Sequence, residues 1–322
     1  MSFTLALALA LADQAPPPRL VGELWELKTP TGTLSGTLDL PAGKGPWPVV
    51  LIHPGSGNTD RNGNSIALPL GIFTNNSLKM LGRALADRGI AVLRIDKRGV
   101  AASAKAMVKE SDLRVDTYAA DVTAWVALLR KDGRFTKVGI VGHSEGTLIG
   151  LLAAKEATPD AFVCLCGLAR PFQDLLREQL KDRLSKDGFD QADKIMTELA
   201  AGRPVKDVPL ALYPYFRPSI QPYMISAFKR DPATLVADFP GPVLVVSGTT
   251  DLQVPVSDGD RLAKAKPGAK RLVVDGMNHV LKADLKAVRI EDQPTYRDPV
   301  APLHPKLVDE LAGFLKESLG AK

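Results

Sequence analysis

Histidine and cysteine are scarce in this chain: 322 residues carry four of the first and two of the second. That scarcity excludes several kinds of chemistry. Cys164 and Cys166 stand two apart in "AFVCLCGL", too close along an extended strand for an unstrained bridge, so neither a disulfide framework nor a cysteine-based metal site is expected. The period of a strand predicts that both thiols point to one face of a sheet as ordinary core groups. No histidine pair has the spacing of metal ligands, so metal-dependent hydrolysis has no ligand set. Charge is not concentrated either. The 41 Lys and Arg residues exceed the 36 Asp and Glu by a net +5 spread along the chain, without the basic stripe that binding nucleic acid requires. No apolar run approaches the roughly 18 to 20 residues that cross a bilayer, so no membrane anchor is expected.

The apolar stretch from Phe3 to Ala12 is shorter than that and ends in Ala10-Leu11-Ala12 before a proline run. It resembles a signal h-region with its cleavage site, although the basic n-region is missing. Residues 1–19 are therefore read as a signal peptide and linker, and the protein as periplasmic or secreted, with a cytoplasmic location if the stretch is retained. The remaining composition, 45% hydrophobic and 24% charged, is that of an ordinary globular protein. It implies no particular oligomeric state.

Two strand patterns, "LWEL" and "GTLSGTLDLP", meet near Pro30 to Gly32, and "PWPVVLIHPGSG" adds a fully buried strand. Helical and buried-strand patterns then alternate through "SLKMLGRALADRG", "IAVLRIDKRG", "TYAADVTAWVALLRKDG", "KVGIVGHS" and "AFVCLC". Such alternation predicts an α/β fold with a mostly parallel central sheet and helices on both faces. From Arg170 to Asp238 no buried strand occurs, only amphipathic helix followed by an aromatic and proline-rich stretch. Residues 170–238 are read as a helical cap inserted between strands, with 20–169 and 239–322 forming the core. The strands resume in "PVLVVSG" and "KRLVVDG", and "PKLVDELAGFLKESL" is the closing helix.

Gly142-His143-Ser144-Glu145-Gly146 fits G-x-S-x-G, in which a strand turns sharply into a helix and exposes the serine oxygen at the tip. Val138, Ile140 and Val141 before it, and Leu148, Ile149, Leu151 and Leu152 after it, supply that strand and helix. A serine nucleophile needs a base, which in this chain order follows both the serine and the acid. His53 precedes the serine, His143 lies inside the turn and His304 stands at the start of the last helix, which leaves His279. Asp251, in the loop after "PVLVVSG", precedes His279 by 28 residues, the length of one helix and one strand. Asp258 and Asp260 are rivals, placed where helix capping accounts for them.

An oxyanion needs preset donors. The Glu145 amide, directly after the nucleophile, is one. The second comes from "HPGSGNTDRNGN", and is assigned to the Ser56 amide with Gly55 as the rival. No phosphate-binding glycine pattern follows in that loop. Asp60 and Arg61 are read as braces of the loop, through an ion pair or hydrogen bonds, rather than as substrate contacts.

Residues 20–320 resemble the α/β-hydrolase superfamily, and within it the bacterial serine carboxylesterases with a G-S-G-x-T-D-R-x-G-N oxyanion loop, matched by Gly55 to Asn64. Asp96-Lys97-Arg98-Gly99 matches the superfamily's D-x-R-G turn, but continues "VAAS" where a second glycine is common. The resemblance implies hydrolysis of short acyl esters without a cofactor, the partner being a small-molecule ester. The alternatives are an aminopeptidase-like serine peptidase, an acyltransferase or thioesterase, and a non-catalytic binding module. A peptidase would need an acidic cluster in the cap, for which Asp174, Glu178 and Glu198 are the candidates. Tyr213, Tyr215, Phe216, Tyr223 and Phe228 are read as packing the cap in preference to walling an acyl pocket, and Tyr296 as a rim residue.

Overall fold

A computed structural model describes residues 22–67, 71–181, 183–284 and 289–320. The predicted signal peptide lies outside the described residues. The first two strands, β1 (Glu23–Thr29) and β2 (Gly32–Asp39), form an antiparallel hairpin, and β3 (Trp47–His53) follows. Next come a short hairpin, β4 (Ser65–Ala67) with β5 (Gly71–Phe73), then α1 (Ser77–Ala86), β6 (Ala91–Ile95) and α2 (Val115–Lys131). The G-x-S-x-G segment lies between β7 (Phe135–His143) and α3 (Gly146–Ala157), followed by β8 (Ala161–Leu165). Helices α4 (Phe172–Lys181), α5 (Lys186–Ala200), α6 (Tyr213–Phe216), α7 (Gln221–Phe228) and α8 (Pro232–Asp238) then intervene. The chain finishes with β9 (Val243–Gly248), α9 (Val256–Ala265), β10 (Lys270–Val274) and α10 (Pro305–Leu319).

Eight strands make one sheet in the order β1-β2-β6-β3-β7-β8-β9-β10. The pairings from β6 to β10 are parallel, and β2 joins β6 antiparallel. Alternation along each strand sends side chains to two cores. Val138 and Ile140 of β7 pack with Trp125 of α2 and Leu148 of α3 on one face, while Val141 packs with Leu81 of α1 and Leu311 of α10 on the other. Both sheet faces are thus covered by helices, as the α/β reading expects.

Helices α4 to α7 build a third core around Leu180, Met196, Leu199, Phe216 and Phe228. Leu235 and Val236 of α8 instead join the sheet core beside Phe239, so the last helix of the inserted segment packs against α3 and α9 of the core.

One expectation fails. Cys164 lies in the α2/α3 core, but Cys166 lies in the α1/α10 core, so the two thiols do not share a face. Cys166 has φ 48°, in the left-handed region, and this one residue breaks the period-two alternation just past the end of β8. Both cysteines are free and buried.

Candidate active site

Ser144 sits between the end of β7 and the start of α3 with φ 56°. That conformation costs an L-residue about 1–2 kcal/mol, and strain of this kind gathers where geometry is fixed for function. The two motif glycines are required by contact. A Cβ on Gly142 would lie 2.4 Å from the Gly146 carbonyl oxygen, and one on Gly146 would lie 2.4 Å from that of His53. The turn is held further by the Ser144 N–H, which donates to the Leu165 carbonyl at 2.9 Å, and by Thr147 Oγ1, which donates to the Gly142 carbonyl at 2.9 Å.

The loops after β9 and β10 are packed together, which brings Asp251 to His279. A Cβ on Gly248 would overlap the Met277 carbonyl oxygen at 2.0 Å, and the Thr250 N–H donates to that same oxygen at 3.1 Å. His279 Nδ1 meets Asp251 Oδ2 at 2.8 Å, with the aspartate side chain fully buried. Because a carboxylate only accepts, the proton is on Nδ1 and Nε2 is left as the basic nitrogen. Asp251 Oδ1 accepts from the N–H groups of Gln253 and Val254 at 2.8 and 2.9 Å, so both carboxylate oxygens are fixed. His143 links the two segments: its Nε2 donates to the His279 carbonyl at 2.9 Å and ties the His279 loop to the turn at Ser144. Burial, with His279 second, lowers the His143 pKa to about 3, so it is neutral and its buried Nδ1 has no partner among the described residues.

The rivals lie elsewhere. Asp258 accepts from the Ala169 N–H at 2.9 Å and pairs with Arg170 at 2.8 Å, while Asp260 pairs with Arg271 at 3.0 Å. Asp258 thus ties the chain after β8 to the first turn of α9, rather than serving as a simple cap.

Ser144 and His279 line one cavity of about 240 Å³ together with Gly55, Ser56, Phe73, Val280, Ile290 and Tyr296. Gly55 abuts Ser144: a Cβ there would come within 3.0 Å of Ser144 Cβ. Among the described residues no acceptor takes the N–H of Ser56 or of Glu145. Tyr296 is a buried wall of this cavity rather than a rim residue, its hydroxyl accepting from Gln253 Nε2 at 3.0 Å.

The Gly55 to Asn64 loop and the D-x-R-G turn form one braced unit. The Arg61 N–H and guanidinium donate to the two oxygens of Asp96 at 2.8 and 2.6 Å, and Arg61 also reaches Thr37 at 3.0 Å. Among the ion pairs of the described residues Asp60 has none; it accepts from the N–H groups of Asn62 and Asn64 at 2.8 and 2.9 Å, and burial raises its pKa. Two contributors are absent from the sequence reading. Lys97, only 3% exposed, donates from Nζ to the carbonyls of Gly55 and Gly57, the latter at 2.8 Å. The Glu145 side chain is buried and accepts from the Tyr223 hydroxyl at 2.9 Å; burial raises its pKa, against the pull of Lys97. A buried ammonium inside a superfamily motif is the only sequence-level signal for the first, and the second leaves none. Where the turn departs from the usual glycine, Ala101 adopts φ 45°, the region glycine favours.

The cap aromatics divide. Phe216 and Phe228 are core, Tyr213 is exposed, and Tyr215 and Tyr223 line a second cavity of about 300 Å³ on the Lys97 side of the Gly55 to Asn64 loop. Asp174, Glu178 and Glu198 pair with Arg177, Arg170 and Arg203, and none of the three lines the cavity that holds Ser144.

The profile of the Alpha/beta hydrolase family matches residues 49–284. Esterase EstD of Thermotoga maritima is 27% identical over 252 residues, covering 77% of this chain and 58% of its own length, so the chain spans little more than half of that relative. Among solved structures, the alpha/beta hydrolase GrgF from Penicillium sp. sh18 superposes with a TM-score of 0.60 at 19% identity, covering 94% of this chain and 100% of its own. Est1E from Butyrivibrio proteoclasticus superposes with a TM-score of 0.58 at 17% identity, covering 92% and 99%. At these identities both likenesses speak for the fold.

Proposed function

The chain belongs to the Alpha/beta hydrolase family, and we propose that within it the protein is a serine hydrolase of short-chain carboxylic esters. The reading rests chiefly on His279 and Asp251, joined at 2.8 Å, with His279 sharing the cavity of Ser144. In this mechanism the Nε2 of His279 takes the Ser144 proton as the oxygen attacks the ester carbonyl. Asp251 holds the imidazole in the required tautomer and stabilises the imidazolium. The carbonyl oxygen, now negative, is received by the N–H groups of Ser56 and Glu145. Collapse expels the alcohol, protonated by His279, and leaves an acyl group on Ser144. A water activated by the same imidazole then releases the acid.

The small cavity, walled by Phe73, Val280, Ile290 and Tyr296, favours short apolar acyl or alcohol groups. The aminopeptidase alternative lacks an anchor. No Asp or Glu is among the described residues that line this cavity, and Arg183 is their only Lys or Arg, so a free ammonium would meet no counter-charge. The proposed secretion rests on the N-terminal stretch alone. Among the described residues no helix is long and apolar enough to cross a membrane.

Initial rates on p-nitrophenyl esters of increasing acyl length, beside a panel of aminoacyl anilides, test the proposal. It expects turnover greatest for the short esters and negligible for the anilides. Anilide turnover exceeding ester turnover would overturn it.

A further inference from the structure

We propose that Lys97 is a positioning residue for the oxyanion loop, gripping the carbonyls on either side of Ser56 from behind and so turning the Ser56 N–H toward Ser144. The inference rests on the ester-hydrolase reading above and concerns how its oxyanion donor is set. Gly55 C=O and Ser56 N–H belong to a single peptide unit. In a trans peptide the two bonds point in opposite directions, and the only cis bond among the described residues is Gly45–Pro46. Anchoring the Gly55 oxygen on Lys97 therefore aims the Ser56 N–H the other way. The second contact, to Gly57 O at 2.8 Å, stops the loop from rotating about the first.

The cavities agree with this direction. Ser56 and Gly57 line both of them, Ser144 and His279 only the first, and Lys97 and Glu145 only the second. The loop is thus a partition with the nucleophile on one side and the ammonium on the other.

The charge has its own consequence. A neutral donor would satisfy these carbonyls at a smaller desolvation cost, and among the described residues no carboxylate stands within 4.0 Å of Lys97 to offset its burial. An ammonium bound to the carbonyl end polarises the peptide and strengthens the N–H at its other end. It also places a positive charge behind the developing oxyanion.

Lys97 and the buried Glu145 beside it are the groups here that burial shifts toward neutrality, the lysine downward and the carboxyl upward. His53 and His143 are both lowered to about 3, chiefly by burial and partly by Lys97 itself. Its chain neighbours Asp96 and Arg98 are engaged by Arg61 and Asp121. Glu145 favours the Lys97 charge, but burial outweighs it and brings the pKa down to about 8. The charge is therefore present at neutral pH and lost as pH rises through about 8.

The test is a pH profile of kcat and KM on p-nitrophenyl butyrate for the wild type, Lys97→Arg and Lys97→Met, with Ser144→Ala as background. Wild-type kcat should fall about tenfold between roughly pH 7 and pH 9.5, with KM within about twofold. Lys97→Arg, whose charge does not titrate there, should keep most of the neutral-pH kcat and lose the alkaline fall. Lys97→Met should lower kcat by about 10- to 100-fold at neutral pH and show no alkaline fall. A wild-type kcat flat to pH 9.5, or a Lys97→Met enzyme that retains the wild-type profile, overturns the proposal. If Lys97→Met does not fold, the wild-type and Lys97→Arg profiles decide. Turnover that survives Ser144→Ala would instead overturn Ser144 as the nucleophile of the proposed function, a separate failure.

Discussion

Replacing Asp251 by asparagine changes one oxygen to an NH₂ group, and the structure dictates which one. Oδ1 accepts from two backbone N–H groups, at 2.8 and 2.9 Å, so placing an amide NH₂ there would set donors against donors. The asparagine oxygen must take that position, and its NH₂ then faces His279 Nδ1, where the carboxylate oxygen stood at 2.8 Å. His279 answers by moving its proton to Nε2. Nε2 then carries a proton where the proposed mechanism requires a base. The expected loss is about 10⁴ in kcat, equivalent to about 5 kcal/mol of barrier. KM and melting temperature should change little, because the hydrogen-bond count and the packing are preserved. Stopped assays of p-nitrophenyl butyrate on the purified variant, alongside a thermal melt, give both numbers. Asp258→Asn, which weakens the buried pair with Arg170, should instead lower the melting temperature and leave kcat within a few-fold. A loss of less than tenfold at Asp251, or an equal kcat loss at Asp258 without destabilisation, would refute the assignment of the acid.

Three further outcomes follow from the same geometry. Ser56→Ala keeps the backbone N–H and should retain most activity, whereas Ser56→Pro removes it and should lower kcat by about 10² or more, measured on the same ester. Arg61→Ala breaks a pair whose side chains are only 10% and 2% exposed, and should cost about 3–5 kcal/mol in denaturant unfolding. Its KM for anionic esters should not rise selectively; a selective rise without destabilisation would make Arg61 a substrate ligand. Ala101→Gly relieves a φ of 45° and should raise stability by about 0.5–1 kcal/mol net of the entropy glycine loses, visible as a higher melting temperature.

The parts of the site that were legible in the sequence are those that local rules dictate. A strand, two glycines and a serine specify the turn at Ser144. The order of strands along the chain places Asp251 and His279 on adjacent loops of the sheet. What was not legible depends on contacts between distant segments. Lys97 reaches carbonyls 42 and 40 residues away. Glu145 meets a tyrosine of the inserted helices 78 residues on. No periodicity encodes such pairs. The β4–β5 hairpin, with three residues in each strand, is too short for an alternating pattern to stand out. Cys166 was misplaced for a different reason. Its left-handed φ is a tertiary override of the strand period at a residue with no turn propensity. Arg61 shows a mixed case: a bracing role was expected, but the partner, Asp96, belongs to a second motif that only the fold brings beside the first.

The central claim is that Ser144 attacks the ester carbon and carries the acyl group. Treating the protein with a fluorophosphonate and mapping the adduct by peptide mass spectrometry tests it most directly. A single modification is expected on the peptide spanning Ser144, formed in step with the loss of ester turnover and absent in a folded Ser144→Ala variant. Modification of any other serine in step with inactivation, or full turnover by an enzyme labelled at Ser144, would contradict it.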